Sequence, residues 1–407
     1  MESAENCPPR SGIKRPHHEI AEIFRAHGET YRREHVLSPE QREVMWCIEA
    51  CRTAVLGGHV DVCDRCDHSA PSYNSCRNRH CPKCQSLAQA EWIEKRKTRI
   101  LPTHYFHVVF TVPHELGRLA RRNPKRMYDL LFESASRTLL EFGRSRLGAQ
   151  IGATVVLHTW TRELNYHPHV HCIVTGGGLA LTKDRWVSAK RGYLFPVRAL
   201  SKVFRGKFLD GLKRTHEKAE LDLGGDCADL GDSDAFKRLM QKLRRKDWVV
   251  YAKQPFGGPE QVFQYLGRYT HRVGISNHRL QSIEANQVRF ATKAGGSVTL
   301  STDEFIRRFL LHVLPGKFVK IRHYGLMASS NATTKLALAR RVMEADGAHT
   351  SNLADGHAAT TVKDWRERFK ELTGIDLSIC PRCRQGSMNR YPLAEMVLPA
   401  DIGLDSS

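Results

Sequence analysis

His167, His169 and His171 stand at alternate positions of NYHPHVHCIVTGGG, residues 165–178. On an extended strand, residues two apart share a face, so His169 and His171 project side by side while Val170 turns to the other face. Two imidazoles presented this way can share one divalent ion, and such an ion can polarise a phosphate. Pro168 has no N–H to give a ladder, which sets the expected start of the strand near His169 and leaves His167 outside it. The preceding run, ATVVLHTWTREL (153–164), is expected to pair with this strand as a hairpin turning near Leu164–Asn165. That register puts His158 across from His171 and nominates it as a third ligand. The glycines of TGGG would let a phosphodiester backbone approach closely.

A second chemistry is carried by cysteine. The chain has 12, and Cys63-x2-Cys66 and Cys81-x2-Cys84 are separated by fourteen residues. Each CxxC turn offers two thiolates to one ion, and two turns close a tetrahedron, so these four are expected to hold one structural zinc. Cys76 and His80 are surplus candidates. Cys380 and Cys383 form an isolated pair, half of such a site. Cys51 reads as core, recurring with Val44, Met45 and Ile48 at helical spacing. Arg77 and Arg79, in RNRH beside the cluster, could be presented to DNA.

The third group is phenolic. In GGPEQVFQYLGRYTHR, Gln261, Tyr265 and Tyr269 fall at i, i+4 and i+8, one stripe of a helix. Val262, Phe263 and Leu266 already supply an apolar face, and Arg268, His271 and Arg272 surround the tyrosines with positive charge. A phenol beside cations and a metal-bound phosphate ionises more readily and can attack phosphorus. The whole chain is basic, with 63 Lys plus Arg against 43 Asp plus Glu and a net charge of +20. Such a balance favours polyanionic partners through counterion release.

These groups need elements to position them. Residues 1–15 are polar and expected to be disordered; residues 16–100 form a helical, zinc-binding, DNA-binding unit. In its second helix, Ser38-Pro39-Glu40-Gln41 has the capping-box form. Residues 101–330 hold the strands: THYFHVVFTV (103–112), the two strands of the histidine hairpin, and DWVVYAK (247–253). A helical stretch occupies about 115–147, and HRLQSIEANQVRFATK is expected to complete the sheet. Residues 331–407 are a tail carrying the CxxC pair, helical again near KDWRERFKELTG. The fold class is α+β. No apolar run is long enough to span a bilayer and MESAENCPPRSGIKRPHH lacks the apolar region of a secretory signal, so a cytoplasmic protein without membrane partners is expected.

Taken together, YNSCRNRHCPKCQ, HPHVHCIVTGGG and GGPEQVFQYLGRYTHRVGISNHR resemble the HUH-type two-tyrosine rolling-circle transposases of bacterial insertion sequences, those with an N-terminal zinc-binding domain. The resemblance covers most of residues 15–330 in the family's order, and FTVPHEL (110–116) matches a further motif. It implies a central antiparallel sheet with packed helices, structural Zn²⁺, and catalytic Mg²⁺ or Mn²⁺ at His169 and His171. It also implies attack by Tyr265 or Tyr269 to give a 5′-phosphotyrosine, with single-stranded or melted DNA at element ends as substrate. Trp160 and Tyr166 could stack on its bases, and Arg268 and Arg272 could bind its phosphates. Three other readings compete: a replication initiator or relaxase of the same chemistry, a non-catalytic zinc-ribbon DNA binder, and a zinc hydrolase using His167, His169 and His171 with Glu163.

Overall fold

The computed structural model describes residues 16–84, 99–256, 274–293, 295–345, 366–367, 370 and 374–393. Two helices come first, α1 (Ile20–Glu34) and α2 (Pro39–Ala50). The expected capping box forms at α2: Gln41 N–H donates to Ser38 Oγ at 3.2 Å, and Ser38 N–H donates to Gln41 Oε1 at 3.0 Å. Both donors would otherwise be orphaned at a helix start. Strands β1 (Gly58–Cys63) and β2 (Ser69–Tyr73) follow.

The main sheet begins with β3 (Tyr105–Thr111), then runs through helices α3 (Gly117–Arg122) and α4 (Pro124–Leu147). Strands β4 (Ala149–Trp160) and β5 (Tyr166–Ala180) form the long hairpin, with short β6 (Trp186–Ser188) on the edge of β5. After α5 (Val197–Glu217) and α6 (Ser233–Arg245), β7 (Val250–Phe256) returns to the sheet. The hairpin β8 (Leu280–Glu284), β9 (Gln287–Ala291) and β10 (Ser297–Ser301) leads into α7 (Thr302–Leu310). The last elements are β11 (Ile321–Gly325), α8 (Lys335–Ala345) and β12 (Met388–Pro392).

The sheet order is β11-β4-β5-β3-β7, antiparallel throughout, with β6 on β5. Alternation divides its two faces. Val108, Phe110, Val155, Leu157, Val170, Cys172 and Val174 point into one core, shared with Leu131, Phe132 and Leu139 of α4 and Phe204 and Phe208 of α5. Tyr105, Val156 and Ile173 face the other way and are covered by Leu336, Ala339 and Met343 of α8. The histidines share this second face. FTVPHEL closes the end of β3: half-buried Glu115 accepts from Lys246 Nζ at 2.9 and 3.1 Å, pinning the C-terminal end of α6.

Two expectations about this architecture are corrected. HRLQSIEANQVRFATK does not complete the main sheet; with β10 it makes a separate three-stranded sheet, β10-β9-β8. Val288, Phe290, Phe305 and Phe309 pack there against Ile20, Ile23 and Phe24 of α1. The edge is taken by β11 instead, whose Ile321 pairs with Val156. Nor are the last residues merely a tail, since β12 pairs with β1. Most of KDWRERFKELTG lies outside the described residues.

Candidate functional site

β5 begins at Tyr166, earlier than Pro168 led us to expect, because the hairpin contains a bulge. Trp160 pairs with Tyr166 and His158 with His169, leaving His167 and Pro168 opposite Thr159 alone. A bulge spares Pro168 the ladder donor it lacks. It also moves the register, so His158 opposes His169 and not His171, which sits across from Val156.

The three imidazoles nonetheless converge. Ring nitrogens of His158, His169 and His171 all lie within 4.8 Å of one another. His169 Nε2 is 3.1 Å from His171 Nε2, and the His158 and His171 ring centres are 4.4 Å apart. Two outer contacts fix how the rings are held. His169 Nδ1–H donates to the His167 carbonyl at 2.7 Å, which leaves its Nε2 lone pair aimed at the cluster. His171 Nδ1 is hydrogen-bonded to His107 Nε2 at 2.8 Å, and the two rings stack. Burial pushes the His169 pKa down to about 4, so the ring is neutral at physiological pH. A neutral His169 locked by its outer hydrogen bond, beside the converging ring nitrogens of His158 and His171, suits a divalent ion. His167 contributes its backbone and not its ring.

His107 and Lys320 escaped the sequence reading. His107 is a buried polar residue in the apolar run YFHVVF, and that oddity was its only signal. Lys320 is buried too, its Nζ 5.4 Å from the Trp160 ring centre, and burial brings its pKa down to about 7. Trp160 itself stacks on His158 at 4.5 Å. Tyr166 shares a 2.8 Å hydroxyl contact with Tyr128. Both aromatics proposed for base stacking therefore already have protein partners. The glycines of TGGG are likewise used internally: a Cβ on Gly176 would strike the His104 ring, and one on Gly177 would meet the Val187 carbonyl.

The cysteines sort differently from the expected Cys63, Cys66, Cys81, Cys84 set. Cys81 and Cys84 join Cys51 and Cys76, while Cys63 and Cys66 meet Cys380 and Cys383. Cys51 Sγ and Cys76 Sγ lie 3.5 and 3.7 Å from Cys84 Sγ. A zinc tetrathiolate, with Zn–S of about 2.3 Å, has S–S edges of about 3.8 Å, so this quartet fits the ion. His80 is no ligand: its Nδ1 contacts Asn78 and its Nε2 accepts from Leu314 N–H at 3.2 Å. Arg79 donates to the Phe318 and Pro315 carbonyls, tying this module to the loop before β11. Arg77 is exposed and lines an open cleft with Arg52, His59, Tyr73 and Arg390.

His80 and His312 are buried between the module and the sheet, and burial lowers their pKa values to about 3 and about 4. As pH falls below about 6.5 the unfolded chain takes up these protons first, so the stability present above 6.5 is lost toward pH 4. Each histidine should contribute a slope of about 1.4 kcal/mol per pH unit in that window. Urea midpoints at pH 7.5 and pH 5 test this; equal midpoints would contradict it.

A cysteine-rich basic module joined to an antiparallel sheet with three converging histidines defines a DNA-processing protein of the transposase class. Residues 23–112 match the family model described as "Transposase zinc-binding domain", and residues 152–334 match "Putative transposase". The chain is 47% identical over 379 residues to "Putative transposase y4qJ" of Sinorhizobium fredii, covering 91% of this chain and 94% of that protein. It is 29% identical over 301 residues to "Transposase for insertion sequence element IS801" of Pseudomonas savastanoi pv. phaseolicola, covering 69% and 68%. No solved structure matches it. The chain belongs to the IS91-type transposase family, with a zinc-binding N-terminal domain. Among the described residues, no helix is long and apolar enough to cross a membrane. Tyr265, Tyr269, Arg268 and Arg272 lie outside the described residues.

Proposed function

We propose that this transposase cuts and rejoins single-stranded DNA at the ends of its insertion element through a covalent 5′-phosphotyrosine, by rolling-circle transposition. The observation that carries the reading is the histidine cluster, three imidazoles whose ring nitrogens converge, two of them, His169 and His171, held by outer hydrogen bonds. His158, His169 and His171 would hold Mg²⁺ or Mn²⁺, which would supply Lewis acidity at the scissile phosphate. Tyr265 or Tyr269 gives up its proton to solvent and its oxygen attacks phosphorus; the P–O3′ bond breaks, and the departing strand end takes a proton to become a 3′-OH. The bond count is conserved, so a 3′-OH can reverse the step in strand transfer without ATP.

Connectivity supports the tyrosines' assignment. The sheet is left at Phe256, across from Tyr105, which itself pairs with Thr175. The described chain resumes at Gly274, against Leu164 and His312. Along the histidine strand, those two points lie on either side of His169 and His171. The cleft carrying Arg52, Arg77 and Arg390 offers positive charge for the DNA backbone.

The test is incubation of the full chain with a labelled single-stranded oligonucleotide carrying the element end, with Mg²⁺. An SDS-resistant protein–DNA adduct is expected, abolished by EDTA and restored by excess Mg²⁺ or Mn²⁺. Cleavage without an adduct points to a hydrolase, and binding without cleavage to a zinc-ribbon DNA binder.

A further inference from the structure

The geometry points to a second zinc site, separate from the Cys51 quartet, in which Cys63 and Cys66 share one ion with Cys380 and Cys383. Cys66 and Cys380 are 314 positions apart, and the family zinc-binding match over residues 23–112 contains only half of this set. All four sulfurs lie within 4.8 Å of one another. The Cys63–Cys383 and Cys66–Cys380 separations are both 3.7 Å, close to the edge of about 3.8 Å expected for a zinc tetrathiolate.

The backbone around them has the form of two matched metal knuckles. Arg65 N–H points at Cys63 Sγ at 3.4 Å, and Gly386 N–H at Cys383 Sγ at 3.3 Å, contacts that stabilise thiolate charge. Immediately after each CxxC the chain turns through a left-handed residue, Asp67 at φ 52° and Arg384 at φ 56°. The knuckles face each other because Asp64 N–H donates to the Ser387 carbonyl at 3.1 Å, and Ser387 N–H to Asp64 Oδ1 at 2.8 Å. Gly386 is required at this meeting point, since a Cβ there would collide with Cys63 Sγ.

Beyond the ligands, β12 pairs with β1 from Cys63–Met388 to His59–Pro392, and Arg390 donates to both carboxylate oxygens of Asp61 at 2.9 and 3.2 Å. The proposed ion clips this strand in place and so delivers Arg390 to the cleft with Arg52 and Arg77. The five-residue strand and the Arg390–Asp61 pair hold this segment on β1, and the ion would add four metal–sulfur bonds to them.

The full chain loaded with Co²⁺ tests the site, because thiolate-to-cobalt charge-transfer absorption counts thiolate-bound ions and ignores histidine ligands. Two ions per wild-type chain are expected, and one in the Cys380→Ser, Cys383→Ser variant. One ion in wild type, or two in the variant, overturns the proposal. Alkylation of zinc-loaded wild type, mapped by peptide mass spectrometry, decides the matter without any variant that could misfold. Cys66 and Cys383, both partly exposed, should be protected with Cys63 and Cys380 until zinc is chelated. Ready alkylation before chelation, or alkylation that needs a reductant and not a chelator, overturns it.

Discussion

Replacing Tyr265 and Tyr269 together by phenylalanine is expected to abolish the protein–DNA adduct while leaving oligonucleotide binding intact. The substitution removes only the two hydroxyls, and with them the attacking oxygen. Removal of a covalent nucleophile should lower the cleavage rate on the order of 10³-fold or more. Each single variant keeps one phenol. If one of them still forms the adduct and the other does not, the silent one identifies the residue that attacks first. Wild-type cleavage by the double variant would sink the phosphotyrosine account and favour a metal-activated water.

The second large effect is expected at His169. Its ring offers Nε2 to the cluster and is oriented by the His167 carbonyl, so His169→Ala removes a ligand without disturbing the core beneath Val170. Metal-supplied charge stabilisation amounts to several kcal/mol, and cleavage should fall roughly 10²- to 10⁴-fold. Zinc content should not change, because both thiol quartets are built without histidine. His107→Phe should act more mildly, weakening the apparent Mg²⁺ affinity by about 10- to 100-fold, since His107 only orients His171. An unaltered Mg²⁺ titration in His169→Ala would remove the histidines from the reaction.

Much of the site was legible from residue types alone. Alternation along HPHVH places His169 and His171 on one face whatever the rest of the chain does, because the side-chain period of a strand is local geometry. The same holds for the capping box at Ser38 and for the long helix after Pro124. His158 was nominated through a wrong register and still belongs to the cluster: both His169 and His171 lie on the face it joins, so a slip of two residues kept it there. His107 could not be found this way, since it enters from β3, a strand whose pairing with β5 no local pattern specifies.

What the sequence by itself determined was the inventory: thiol pairs in tight turns, imidazoles on a strand, phenols at helical spacing, and an excess of positive charge. Those follow from neighbours a few residues apart. Which thiols share an ion was decided only in three dimensions. Every CxxC makes much the same turn, so spacing cannot tell which turn will face it; that depends on β12 crossing more than 300 residues to lie on β1, and on α2 carrying Cys51 beneath the Cys81 turn. Pairing of distant strands is set by buried surface and backbone hydrogen bonds summed over the whole fold, and only that sum brings Cys380 to Cys66.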